Sequence, residues 1–289
     1  MKQKIVFALL KSIASLPLGV LYLFSDFIAF ILFHLVKYRK KVVDSNLISS
    51  FPEKTPDEIK EIEKEYYRYL GDQIVETLKL LHISEKELRR RVKVINYEIV
   101  NATLGENKNA VLLMGHYNNW EWVQEISRYF LPQSYMASIY HPLKNKMWDE
   151  FFIRIRSYWG AHIVTMKQAP RVLLDRSHTP WVCGFIADAR PDHIQANDID
   201  VVEFLNHKTH FIPGPEIIGE KVGADYFYLE MLRIKRGYYE IKFTKLDAAE
   251  DQETKANESY PHLRMFWKEF EATIKKAPAY WLWSHKRWK

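Results

Sequence analysis

From residue 92 onward, short apolar runs alternate with polar, helix-like stretches, and this alternation restricts the fold more than any other feature of the sequence. The runs are VKVINYEIV, AVLLMG, SYMASIY, HIVTM, WVCGFIAD and DVVEFL. Strands that are apolar along their whole length must be covered on both faces, and helices between successive strands supply that cover. The pattern therefore predicts an α/β layered domain with a mainly parallel central sheet flanked by helices. The segment YFYLEMLRIKRGYYEIKFTKL (226–246) reads as two strands joined at Arg236-Gly237, a hairpin turn. A last helix is predicted over 256–276, before the basic, aromatic tail PAYWLWSHKRWK.

Upstream the chain is helical. Thr55 is placed to cap a helix, with Pro56 in its first turn and Asp57 and Glu58 where the helix dipole favours acids. Ile62, Tyr66, Leu70, Ile74 and Leu78 then recur every four residues and give it one apolar face. A second helix is predicted from Ser84, with Glu87 at capping-box spacing. Before these lie two apolar runs, SIASLPLGVLYLF (12–24) and FIAFILFHLV (27–36), interrupted by Ser25-Asp26. Lys2, Lys4 and Lys11 precede them and KYRKK (37–41) follows. Basic clusters on both sides of an apolar stretch suit anionic headgroups, so residues 1–45 are predicted to be membrane-associated helices, spanning or interfacial, rather than a cleaved signal peptide. The competing reading is an ordinary buried helical hairpin, and Asp26 weakens a simple span. Residues 46–289 then form one catalytic domain, with the body on the cytoplasmic side.

Composition narrows the partners. The 289 residues carry a formal net charge of +6, which makes acidic partners plausible. Cys183 is the sole cysteine, which excludes an internal disulfide and a cysteine-based zinc site. It sits inside an apolar run and reads as a small core residue. The basic residues occur in separate groups with no recognition motif, so nucleic-acid binding is not expected.

Chemistry is concentrated at LLMGHYNNWEW (112–122). In the predicted architecture AVLLMG is a strand and a helix begins within NWEWVQEISRYF. His116 therefore falls at the C-terminal end of a strand, where open α/β sheets place their ligands. A histidine titrates near neutrality, and a carboxylate on its far nitrogen would set the tautomer and stabilise the imidazolium; Glu121 is the nearest candidate. The motif holds no serine or cysteine nucleophile, lacks the glycine–serine–glycine elbow, and is not a His-Glu-x-x-His zinc site. Spacing alone leaves two readings, a structural turn and a proton-transfer site.

GHYNNWEW resembles the His-x4-Asp/Glu motif of glycerolipid acyltransferases, and specifically the form found in the bacterial lipid A biosynthesis (lauroyl/myristoyl) acyltransferase family. Further blocks resemble that family in order along the chain: YRKKVVDSNLISSFPE (38–53), SIYHPLKNKMWDEFFIRIRSYWGAHIV (138–164), residues 184–224 and AYWLWSHKRWK (279–289). The resemblance implies His116 as general base with Glu121 as its orienting partner. It implies Asn119, Arg154, Arg156, Asp188 and Arg190 as substrate-binding residues, with Arg156 favoured over Arg154 for binding phosphate or stabilising an oxyanion. Read without the family, both arginines would simply solvate an outer helix face, and Trp281, Trp283 and Trp288 would pack as core.

The implied reaction is transfer of a fatty acyl chain from acyl–acyl carrier protein, or acyl-coenzyme A, to a hydroxyl of an anionic glycolipid, a lipid A precursor. The place is the cytoplasmic face of the bacterial inner membrane. The acyl thioester is a co-substrate, and neither a cofactor nor a metal is implied. The sequence departs from the family at Tyr140-His141-Pro142, where many members have Tyr-Arg-Pro, and at Asp188-Ala189-Arg190 and Phe204-Leu205-Asn206. Those positions leave open a lysophospholipid or aminolipid acceptor. A rival of another class is a catalytically idle lipid-binding protein on the membrane surface.

Overall fold

A computed structural model describes residues 2–175, 179–189, 200–248 and 259–288, with side chains from residue 6 onward except that of Asp200. Arg190 lies outside the described residues. The chain opens with helix α1 (Lys2–Ser15), then α2 (Leu18–Phe30), which continues through a wider turn over Ile31–Leu35. Helices α3 (Lys40–Ser50), α4 (Pro56–Lys79) and α5 (Glu85–Arg91) follow. The Thr55 side chain accepts from the Glu58 backbone while the Glu58 carboxylate accepts from the Thr55 backbone, so α4 begins with a complete capping box.

The layered domain alternates as expected: β1 (Val92–Val94), α6 (Glu98–Gly105), β2 (Ala110–Met114), β3 (Tyr135–Tyr140), α7 (Lys146–Ser157), β4 (His162–Thr165), α8 (Ala169–Leu174) and β5 (Trp181–Ile186). A hairpin, β6 (Asp200–Phe204) and β7 (His207–Phe211), precedes α9 (Gly214–Lys221). Long strands β8 (Asp225–Lys235) and β9 (Tyr238–Lys245) and helix α10 (Pro261–Lys276) complete the elements. Seven strands form the central sheet in the order β1-β9-β8-β2-β5-β3-β4. The β8–β9 pair is antiparallel, turning at Arg236-Gly237 with Gly237 at φ 71°, and every other neighbouring pair is parallel.

β2 runs through the middle of this sheet and is buried at all five positions. Val111 and Leu113 pack on one face, with α10 and the start of α4, while Ala110, Leu112 and Met114 pack on the other. A central strand covered on both faces has no polar side to show, which is why its sequence is apolar throughout. Cys183 sits on β5, next to it, fully buried.

Several expectations are corrected. DVVEFL is a strand, but it pairs only with β7 in a separate two-stranded sheet, because Leu205 and Asn206 both adopt positive φ and reverse the chain at once. VKVINYEIV is split: only Val92–Val94 is strand, and α6 starts at Glu98. The helix expected after the His116 motif is a 3-10 helix, Trp122–Arg128. The last helix begins at Pro261.

Leu18–Leu35 is long and apolar enough to cross a membrane by length and composition. It lies along α4, at a close approach where a Cβ on Gly71 would come within 2.6 Å of the Ser25 carbonyl. The Ser25-Asp26 interruption has a local cause. Ser25 is buried and donates to Asp72 at 2.6 Å, and Asp26 receives Arg236 from the β8–β9 turn at 2.6 Å. The opposite side of this helix exposes Leu23, Phe24, Phe27, Phe30 and Leu35.

Candidate active site

Strands β2 and β5 are parallel neighbours in a register that sets Met114 opposite Ile186, and the Ala187 amide donates to the Met114 carbonyl at 2.8 Å. Two residues beyond each strand, His116 and Asp188 are therefore brought face to face although 72 positions separate them. His116 Nδ1 lies 2.8 Å from Asp188 Oδ1, and the His116 backbone N–H donates to Oδ2 at 3.0 Å. The indole N–H of Trp281 donates to the same Oδ2 at 2.9 Å. Asp188, not Glu121, is thus the carboxylate that holds the imidazole. The pairing differs from the one expected from the motif, and Asp188 itself is buried, its oxygens accepting from His116 and Trp281.

The pair shifts both groups. Burial pulls the His116 pKa down, but the bonded Asp188 carboxylate outweighs it, with a smaller push from Glu121, and the net shift is upward. Burial pushes Asp188 up, yet the neighbouring imidazole and the bonds from His116 and Trp281 hold it down at about 2. With its Nδ1 proton donated to a carboxylate, the neutral ring keeps its basic nitrogen at Nε2. The ring stands edge-on to Trp120, centroids 5.1 Å apart, and lines a cavity.

Glu121 is turned away from His116 Nδ1 by the loop between them. Asn118 takes a left-handed conformation (φ 50°), its N–H donates to the Tyr280 carbonyl, and its side-chain amide donates to the Met231 carbonyl at 2.7 Å. Glu121 instead meets Arg156 in a two-point pair: Nε to Oε2 at 2.9 Å and Nη2 to Oε1 at 2.5 Å. Arg156 projects from α7 one turn after Phe152 and lies over that ring, 5.0 Å from its centroid. Arg154, on another side of the same helix, is exposed. That is the solvated position, not the cavity. Asn119 does not face the cavity either: it is fully buried, and its amide donates to Glu76 at 2.6 Å.

The C-terminal tail closes the site from one side. Leu282 N–H donates to the His116 carbonyl, and Tyr117 bridges antiparallel to Trp281. Trp281 and Trp283 are buried, as core packing requires, and the Trp281 indole additionally fixes Asp188. Gly115 is needed because a Cβ there would overlap the Phe270 ring.

A cavity of about 610 Å³ lies over His116, bounded by Trp120, Glu121 and Arg156 and otherwise mainly by apolar side chains such as Ile139, Phe185 and Ile218. A second, of about 380 Å³, lies among α1, α4 and α7 and is lined by Leu10, Ile74, Leu78 and Phe151. Trp120, Glu121, Phe152 and Leu282 line both and so form a shared wall. Among the described residues, no group of three histidine, cysteine or acidic side chains is placed to hold a metal ion. Two apolar chambers meeting beside a carboxylate-held imidazole suit chemistry between long-chain substrates.

The family model of bacterial lipid A biosynthesis acyltransferases matches residues 2–289. The chain belongs to that family. Membership makes it an acyltransferase of lipid A biosynthesis. No curated protein matches the sequence. Two features of this family member escaped the sequence reading. Asp188 as the partner of His116 would follow from knowing that β2 and β5 are neighbours, since each residue sits two positions past its strand. The Trp281 indole bond carries no local signal at all.

Proposed function

We propose that this lipid A acyltransferase moves a fatty acyl chain from acyl–acyl carrier protein, or acyl-coenzyme A, to a hydroxyl of a lipid A precursor at the cytoplasmic face of the inner membrane. The observation that carries the reading is the His116–Asp188 pair, with the imidazole on the wall of an apolar cavity. In the proposed reaction Nε2 removes the acceptor hydroxyl proton as the oxygen attacks the thioester carbonyl. The tetrahedral intermediate collapses, the C–S bond breaks, and the thiol leaves with the proton from the imidazolium. Asp188 stabilises that imidazolium while it exists.

Arg156 is the proposed stabiliser of the oxyanion or of an acceptor phosphate. Two of its five N–H groups go to Glu121, which fixes the guanidinium on the cavity wall. Glu121 in this scheme acts through Arg156 and not through His116. No residue of the site is a nucleophile, so both substrates bind together, one acyl chain in each chamber. The exposed apolar side of α2, followed by Lys37, Arg39, Lys40 and Lys41, is the proposed contact with the bilayer.

The test is transfer by the purified full chain in detergent, with acyl–acyl carrier protein and a lipid A precursor, read by mass spectrometry of the lipid. His116→Ala is expected to lower the rate by about 10²–10⁴. Full activity in that variant would overturn the mechanism. Transfer to a lysophospholipid or aminolipid but not to the precursor would overturn the acceptor.

A further inference from the structure

Glu76 lies in the last turn of α4, fully buried, and has no place in the reaction just described. Its carboxylate gathers donors from three separate parts of the chain. Tyr22 of α2 donates to Oε1 at 2.8 Å, while Asn119 of the catalytic loop and Tyr239 of β9 donate to Oε2 at 2.6 and 2.7 Å. The Glu76 backbone carbonyl also accepts the Trp122 indole N–H at 2.9 Å. Asn119 in turn accepts the Trp122 backbone N–H through its own oxygen. The loop that carries both His116 and Glu121 is thus held at two points by one residue of α4.

One turn earlier on the same helix, Asp72 binds Ser25 of α2 and Arg233 and Arg236 of the β8–β9 hairpin. The polar positions of the apolar N-terminal helix, Tyr22, Ser25 and Asp26, all face this pair of carboxylates or their arginine partner.

We propose that Glu76 is a positioning residue for acyl transfer, through which the seating of α2 on α4 sets the geometry of the His116–Glu121 loop. A desolvated carboxylate tolerates burial only while its donors stay in place, so losing the Tyr22 hydroxyl changes what Glu76 demands of Asn119. Asn119 sits midway between His116 and Glu121, and a shift there moves the imidazole and the Arg156 clamp relative to each other. No part of this brace lines either cavity except the loop it holds, so substrate affinity is not its target.

The proposal rests on the acyl-transfer reading, and two measurements separate their failures. In steady-state transfer, Glu76→Gln is expected to lower kcat on the order of 10- to 100-fold, with KM for the acyl donor little changed, because a small displacement of catalytic groups costs rate and not binding. Tyr22→Phe, which touches neither loop nor cavity, is expected to lower kcat less. The double variant should be no slower than Glu76→Gln alone, since both act through one carboxylate. Hydrogen–deuterium exchange supplies the second readout. Both variants should speed exchange in the peptide spanning 116–123 and leave β2 and β5 unchanged.

Unaltered exchange in that peptide, an unaltered kcat in Tyr22→Phe, or multiplicative losses in the double variant would each overturn the coupling. Faster exchange everywhere would make Glu76 a general stability residue and overturn it as well. If Glu76→Gln does not fold, Tyr22→Phe alone decides. A wild type that exchanges as expected but transfers no acyl chain would count against the acyl-transfer reading, and against Glu76 serving it.

Discussion

Replacing Asp188 by asparagine tests the reassigned histidine partner directly. The substitution keeps the shape of the side chain and removes its charge. The new amide oxygen can go on accepting from the His116 backbone and the Trp281 indole, the two donors that Oδ2 serves at 3.0 and 2.9 Å. Its NH₂ then faces His116 Nδ1, where a carboxylate oxygen stood at 2.8 Å. An amide N–H donates, so Nδ1 must accept, the ring proton moves to Nε2, and the basic nitrogen no longer faces the substrate. In a serine protease the equivalent change of tautomer costs about 10⁴ in rate, and a loss of the order of 10³–10⁴ in kcat/KM is expected here, about 4–5.5 kcal/mol of barrier.

The pH profile adds a sign. A general base works when neutral, and His116 is held above the ordinary value of 6.5 by Asp188, so wild-type kcat/KM should rise with pH through a limb above 6.5. Without the carboxylate, burial dominates and the limb of any residual activity moves down. The assay is kcat/KM against pH for the wild type, Asp188→Asn and Glu121→Gln. Near-wild-type activity in Asp188→Asn, or a larger displacement of the limb in Glu121→Gln, would refute the pairing.

Two further outcomes are expected. Arg156→Ala leaves the buried Glu121 carboxylate without its two-point partner, so unfolding stability should fall by about 3 kcal/mol, read by denaturant titration, and transfer should be lost with it. Gly115→Ala drives a methyl group into the Phe270 ring, and a loss of about 1–3 kcal/mol is expected in thermal or denaturant unfolding, accompanied by reduced activity because His116 is the next residue.

Much of the architecture was legible without coordinates because its signals are local. The helix cap at Thr55, the hairpin turn at Arg236-Gly237 and the apolar strands AVLLM and WVCGFI each depend on a few adjacent residues, and each lies where the pattern places it. The failures at DVVEFL and VKVINYEIV have the opposite cause. An apolar run cannot say which strand it will pair with, and positive φ at Leu205 and Asn206 is a tertiary outcome at residues that do not announce it.

The site divides the same way. The histidine and the loop at a strand end were readable in one stretch of the chain, and the family, with the reaction type it implies, in blocks spread along it. Which carboxylate meets the imidazole was not. Glu121 is five residues away in sequence, yet Asn118 bends the loop and Arg156 takes Glu121; Asp188 is 72 residues away, yet the β2–β5 register delivers it. Burial of Asn119 and exposure of Arg154 were decided by neighbours that no local pattern names. Hydrogen bonds act over about 3 Å, and only the packed sheet determines which atoms come that close.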